Sequence, residues 1–568
     1  MKNKIIFALI CLFVFSNLQL YGAQDQAKNE KPVEAQAREF VKYYESKMAP
    51  LEKAGALAKW EASVSGKDED YKIYAKCSLE INKFLSNKEN FKKVKAFQKS
   101  SGIKDPVIKR CIEVIYLECL PKQIDEALLK QIVDAEKDAE KTFSIFRGKV
   151  DGEEITTNKI YEILGSSDDV KLRQKAWEAS QEVGEVVAPK LIELIKLRNK
   201  VAKELGFKNY YSMMLKSQEF DENELIKTFD NLAALTNKPF GKLKDKMDGI
   251  LAKKHHITKE QVMVWDYADP YLQEAPNISE TIDADIFFKD KGVIKIISGF
   301  YGGINLPIED ILKRSSLYEA KGKDPHAYCA NIDRGGDIRM LLNMKDNAYW
   351  AAAMLHVAGR GTYDKYIDND LPWTIRTSAH ISTSEAIGEM FGRLSKNPYW
   401  LNKTGIIPKE KIKEIDQYME EKLRLEMLIF ARWSQVMMRF EKALYENPDQ
   451  DLNKLWWALK EKYQFVKTPQ GRNKPDWAAK IHFTKSPVYY HNYLIGEMVA
   501  SQLMHKMGVD VLKVKNWSNI DFVNQPKLGD WLKKNIFEPG ARYRWNDLIK
   551  RATGENLNPK YYAEQIIR

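Results

Sequence analysis

Proline and glycine are scarce and dispersed: 20 Pro and 29 Gly are spread over 568 residues, and no Ser/Gly/Pro-rich linker interrupts the chain. That excludes beads on a string and favours one large body, or two lobes around a cleft. Long apolar runs are missing as well. The run 5–15, preceded by Lys2 and Lys4, is about half the ~20 residues that a membrane-spanning helix needs. Tyr21-Gly22-Ala23 leads from it into the polar stretch 24–31, which predicts a secretory signal at 1–23 and a secreted or periplasmic mature chain, 24–568. Tyr21 is larger than the small residue expected two positions before a cleavage site, so an uncleaved anchor, the one membrane contact foreseen, stays open. Cys11 lies inside the run rather than at its end, which argues against a lipid-modified N-terminus.

Cysteine is equally sparse. Beyond the signal stand Cys77, Cys111, Cys119 and Cys329. Cys111 and Cys119 fall in a helical stretch, ~12 Å apart along its axis and beyond disulfide reach. Pairing of Cys77 with one of them is left open. No single sign of charge dominates: 90 basic against 79 acidic residues give +11, and the two signs alternate, as in Lys242-Leu243-Lys244-Asp245-Lys246-Met247-Asp248. No basic block is interleaved with aromatics, so nucleic acid is not an expected partner. Short alternating strands at regular spacing are also absent, which excludes a sandwich or barrel.

What remains is helical patterning over nearly the whole chain. Ala188, Leu191, Ile192, Ile195, Leu197 and Val201 recur close to helical spacing, and similar patterns run through 231–254, 411–445 and 488–508. Pro239 is expected to start a new helix or kink the old one. In 337–344, Ile338, Met340, Leu342 and Met344 alternate with polar neighbours, which predicts a strand. Asp346 then offers an N-cap for a helix from 347 toward Gly359. Ser382-Thr383-Ser384-Glu385 reads as a capping box ahead of Ile387, Met390, Phe391 and Leu394. His255-His256 near Glu260 reads as a lysine-rich helix end rather than a metal site.

A zinc peptidase places two His four apart on one helix face, with a Glu beside the first to activate water. None of the eight His here are four apart. The nearest fragment is His356-Val357-Ala358-Gly359-Arg360: the first His, an apolar residue in the base position, and a guanidinium in the second-ligand position. Around it, Pro325-His326-Ala327, Asp337-Ile338-Arg339, Ser384-Glu385-Ala386-Ile387-Gly388-Glu389, Ala479-Lys480-Ile481-His482 and Pro487-Val488-Tyr489-Tyr490 follow in order.

On these motifs the segment 323–493 resembles the angiotensin-converting-enzyme family of peptidyl-dipeptidases. The resemblance implies a mainly α, zincin-like fold: a large helical ellipsoid with a deep central cleft and a small strand element. It implies a substrate-binding strand at His326 and Ala327, zinc ligands at His356 and Glu385 with the third at the position of Arg360, and a general base at the position of Val357. Lys480 would hold the substrate's C-terminal carboxylate and His482 the tetrahedral intermediate. Tyr490, or Tyr489 in its stead, would be the transition-state tyrosine.

Val357 and Arg360 depart from that pattern. A positioned base contributes ~10²–10⁴ in rate, and Val accepts no proton. A guanidinium about 4 Å from a zinc ion adds repulsion of ~4 kcal/mol per unit charge at an effective dielectric near 20. The expectation is a pseudopeptidase that binds peptides or a protein C-terminus and carries no cofactor, with Arg360 paired to Glu385 in the metal's stead. Zinc enters only if His356, Glu385 and Glu389 keep a working site, which is the alternative of an active peptidase. A further alternative is a non-catalytic interaction module. Oligomeric state is unread.

Overall fold

The computed structural model describes residues 32–276 and 282–567. The secretory signal expected at 1–23 therefore lies outside the described residues. Two long N-terminal helices, α1 (Val33–Ser65) and α2 (Asp68–Leu85), pack side by side. They lead into α3 (Glu126–Ile145) and α4 (Val183–Glu204), which pair with each other, and α5 (Glu222–Lys254) follows. After a strand pair come α6 (Ala348–Lys365) and α7 (Ile381–Gly392). The C-terminal part holds α8 (Lys409–Glu446), α9 (Leu452–Gln464), α10 (His491–Lys506) and α11 (Lys560–Ile567), with shorter helices between.

Strand content among the described residues is confined to two antiparallel pairs. β1 (Gly148–Val150) pairs with β2 (Glu153–Ile155), and β3 (Tyr328–Asn331) with β4 (Ile338–Leu341) in the register Tyr328↔Leu341 to Asn331↔Ile338. One hydrophobic core runs from Ala37 in α1 to Ile566 in α11, so distant parts of the chain bury their apolar faces against each other. The fold is mainly α, as the sequence predicts.

Several local expectations shift. The period-two pattern at 337–344 yields a strand only as far as Leu341. Beyond it Leu342, Asn343 and Met344 are all buried, and the Leu342 and Met344 N–H groups donate to the Ser316 and Leu317 carbonyls instead of to β3. Asn347, not Asp346, caps α6 by accepting from the Trp350 N–H, and the helix continues past Gly359 to Lys365. The Asp346 carboxylate instead accepts from Gly292 and Val293 N–H, at the start of another helix. The expected capping box at Ser382 is displaced: His380 caps α7, its Nδ1 accepting from the Ser382 N–H while Thr383 Oγ1 accepts from the His380 N–H. Glu385 is thus free of capping duty. Pro239 sits inside an unbroken α5. All four described cysteines are free, so Cys77 pairs with neither Cys111 nor Cys119. His255 does stand at the lysine-rich end of α5, after Lys253 and Lys254, and is buried there with its Nδ1 3.2 Å from the Asp266 carboxylate.

α7 lies between α6 and α10, and it approaches both closely because glycine stands at each crossing. A Cβ on Gly388 would come within 2.6 Å of the His356 ring, and one on Gly496 of α10 within 3.1 Å of Glu385 Cβ. These two contacts set His356 and Glu385 against one another.

Candidate functional site

His356 and Arg360 stand one turn apart on α6, facing Glu385 and Glu389 one turn apart on α7. Arg360 Nη1 lies 2.6 Å from Glu385 Oε1, and Arg360 Nε donates to Ser384 Oγ at 3.2 Å. His356 Nε2 is 3.4 Å from Glu385 Oε2, while Nδ1 is 3.5 Å from Glu389 Oε1. Burial pulls the Glu385 carboxyl up. The hydrogen bond from His356 and the Arg360 charge outweigh it and hold the group below the ordinary carboxylate range. Glu385 is only 13% exposed, so this pairing is screened little by solvent. Val357 is 4% exposed and belongs to the hydrophobic core.

Because the His356 ring lies on Gly388, a methyl group there must displace it. The G388A variant is expected to lose ~1–3 kcal/mol to overpacking, offset by ~1 kcal/mol of helix propensity. Urea unfolding should report this as a lower midpoint with unchanged slope. A midpoint at or above that of the native chain would mean that α6 and α7 are not locked at this crossing.

A second group converges from the far side. Lys480, His482 and Tyr490 share with Glu385 and Glu389 the wall of a cavity of about 440 Å³. His356 and Glu389 line an adjoining cavity of about 670 Å³. Gln273, Glu274, Glu389, Phe430 and Glu497 line both, so the two form one cleft between α6–α7 and α8. His326 and Ala327 are not brought in: they precede β3 outside both cavities, with His326 87% exposed and its Nδ1 2.9 Å from Asp324 Oδ1.

Lys480 is 7% exposed and lies over the rings of Tyr271 and Trp433, at 4.8 and 5.3 Å. Its Nζ donates to Gln273 Oε1. Burial pulls its pKa down to about 8, against the attraction of Asp269 and Glu274. His482, half-buried, is lowered to about 4 by desolvation and by the Lys480 charge and is neutral near pH 7; its Nδ1 is buried without a hydrogen-bond partner in the structure. The Tyr490 hydroxyl accepts from Trp433 Nε1–H at 2.6 Å, and burial keeps the phenol protonated. Tyr489 and Tyr493 meet edge to face at 5.2 Å, and both feel the Glu385 charge.

Sequence reading missed Gln273 and Glu274. Gln273 and Glu274 follow Asp269-Pro270 in an irregular loop. The buried Asp269 carboxylate accepts from Tyr271, Gln273 and Glu274 N–H, and Gln464 Nε2 donates to the Tyr271 and Leu272 carbonyls. Such a loop has no periodicity to read. Tyr493, which the sequence left equally as helix-start packing or chemistry, lines the smaller cavity.

The sequence profile of the peptidase family described as angiotensin-converting enzyme matches residues 31–242 and 289–561. The chain belongs to that family. The mouse (Mus musculus) angiotensin-converting enzyme is 23% identical over 564 residues, covering 92% of this chain and 42% of its own length. An inactive angiotensin-converting enzyme-related protein of Caenorhabditis elegans is 29% identical over 133 residues, 22% of this chain and 15% of that protein. Carboxypeptidase 1 of Bacillus subtilis (strain 168) is 24% identical over 263 residues, 42% of this chain and 52% of that protein. This chain spans less than half the length of the first relatives it matches.

The angiotensin-converting enzyme family is zinc-dependent. His356, Glu385 and Glu389 each offer a ligand atom within 4.8 Å of the others. The two carboxylates, however, approach opposite nitrogens of one ring. At these closest approaches Glu389 on Nδ1 has the geometry of a carboxylate that orients a ligating His with Nε2 toward Glu385. A guanidinium already holds the Glu385 carboxylate, which leaves His356 and Glu389, short of the three protein ligands of a catalytic zinc site. These residues do not fit the ion.

Proposed function

We propose that this member of the angiotensin-converting enzyme family binds peptides in its cleft and hydrolyses them little or not at all. The observation that carries this reading is the Arg360–Glu385 ion pair, a permanent organic cation held where a metal would need the same carboxylate. With Val357 buried beside it, no group at the base position accepts a proton. Lys480, caged by aromatic rings with Gln273 at its tip, suits a C-terminal carboxylate. Neutral His482 and Tyr490 suit peptide carbonyls. The name of the nematode relative is in keeping with a family member that has lost hydrolysis, though it is said of that protein. On the signal at 1–23 we further assign the mature chain outside the cytoplasm; no helix among the described residues is long and apolar enough to cross a membrane.

The test is the zinc content of protein purified without chelator, joined to an assay for release of C-terminal dipeptides. Absent zinc and absent release, with saturable peptide binding, is the expected result. Stoichiometric zinc with chelator-sensitive release would replace this reading by an active peptidase working through His356, Glu385 and Glu389. The K480A variant should weaken peptide binding by ~10–100-fold, since a charge-assisted hydrogen bond contributes ~1.5–3 kcal/mol. Lys480 carries its charge below its pKa, so affinity should fall as pH rises through about 8 in the native chain and stay flat in K480A. Isothermal titration across pH measures both, and equal affinities would remove Lys480 from the site.

A further inference from the structure

Most acids of the cleft are matched by a cation from the chain itself. Glu385 holds Arg360, Glu497 holds Arg393, and Glu426 holds Lys396. Glu389 faces the His356 ring. Glu274 is the exception: it lines both cavities, yet its carboxylate makes no ion pair within 4 Å among the described residues. It is also firmly placed, because its N–H donates to the buried Asp269 carboxylate at 3.0 Å. Its neighbour in sequence is Gln273, which accepts from Lys480. The cleft thus sets an anion receptor beside an anion that makes no close ion pair, while His482 presents a buried Nδ1 that lacks a partner. An arrangement of this kind is complementary to a ligand carrying both signs of charge on one residue.

We infer that the cleft prefers peptides whose C-terminal residue has a positive side chain, with its carboxylate at Lys480 and its ammonium or guanidinium at Glu274. This rests on the peptide-binding reading above and adds the residue that sets its specificity. Glu274 is open to cleft water, which limits the effect to that of a partly screened pair. The surrounding wall still raises its carboxyl, by burial first and by Asp269 second with Lys480 opposing them, and a cation bound at Glu274 would favour the ionised form.

The experiment titrates the native chain with acetyl-Ala-Ala-Lys, acetyl-Ala-Ala-norleucine and the C-terminal amide of the lysine peptide. The lysine peptide is expected to bind about fivefold more tightly than the norleucine peptide, about 1 kcal/mol, and the amide to lose most of its affinity. In E274Q the lysine-to-norleucine ratio should fall toward one. E274K should reverse it in favour of acetyl-Ala-Ala-Glu, a gain that a merely structural role would not give. Equal binding of the two acids, or a preference untouched by E274Q, overturns the assignment of Glu274 while leaving a peptide cleft in place. No binding of any of these peptides overturns the peptide reading itself, and the inference with it.

Discussion

The V357E/R360H double variant should bind zinc stoichiometrically, whereas the native chain retains none above background. His at 360 lies four residues after His356 on the same face of α6, one turn away, so both rings can address a single ion. Removing the guanidinium also frees Glu385, now 2.6 Å from Arg360, to serve as the third ligand. Glu389 already stands on His356 Nδ1 and would fix the ring with Nε2 toward the ion. Binding to the folded state alone should raise the unfolding midpoint as zinc is added, by ~2.7 kcal/mol of stability at a hundredfold excess over Kd.

The two substitutions do different work. Val357 is buried, so even a protonated carboxyl there carries a desolvation cost of ~1–3 kcal/mol unless a hydrogen bond meets it, and an ionised one costs more. R360H alone avoids that cost and should still bind zinc, without recovering hydrolysis, because the base is missing. Mass spectrometry of the native protein measures the ion directly. A folded R360H protein and a folded double variant that both stay zinc-free would show that the site was lost at more than these two positions.

The legibility of this site follows from where its residues lie. His356, Arg360, Glu385, Lys480, His482 and Tyr490 sit in or beside helices, in short motifs whose order and residue types are visible in the sequence alone. Their pairing could be argued from chemistry as well, since a carboxylate and a guanidinium are left where two ligands of one ion are expected. The residues that escaped belong to a loop whose conformation is set from outside it. Gln273 is placed by Asp269 and Gln464, and the latter is 191 positions away from it in the chain.

Helix starts failed for a similar reason. Asp346 and Asn347 are both competent N-caps, and the choice fell to Asn347 because Asp346 was claimed by a helix beginning at Val293. At α7 a histidine ring took a role that Ser382 would fill by pattern alone. That displacement has a functional consequence. With His380 and Thr383 closing the cap, Glu385 can turn its carboxylate to Arg360 instead of to backbone N–H groups.

Replacing Arg198 should destabilise the whole molecule more than a change at most other single positions, and should disturb the cleft with it. Arg198 lies on α4, 1% exposed. Its Nη1 donates to the Phe483 carbonyl at 2.9 Å and to the Tyr445 hydroxyl at 3.2 Å; its Nη2 donates to the Thr484 carbonyl at 2.7 Å and to Glu136 at 2.8 Å. One side chain therefore joins α3, α4 and the end of α8 to the turn that begins at His482. Methionine of similar length would leave two buried carbonyls without donors, at ~1–3 kcal/mol each. Glu136 is 35% exposed and regains water, so its share is small. The expected loss for R198M is about 3–5 kcal/mol in urea unfolding, with the native slope retained. R198K, which keeps the charge and some of the donors, should recover part of it. Because the two carbonyls directly follow His482, R198M should also weaken peptide binding under conditions where it remains folded. A loss below about 1 kcal/mol would mean that water replaces the guanidinium, and that the turn bearing His482 is held by its own packing.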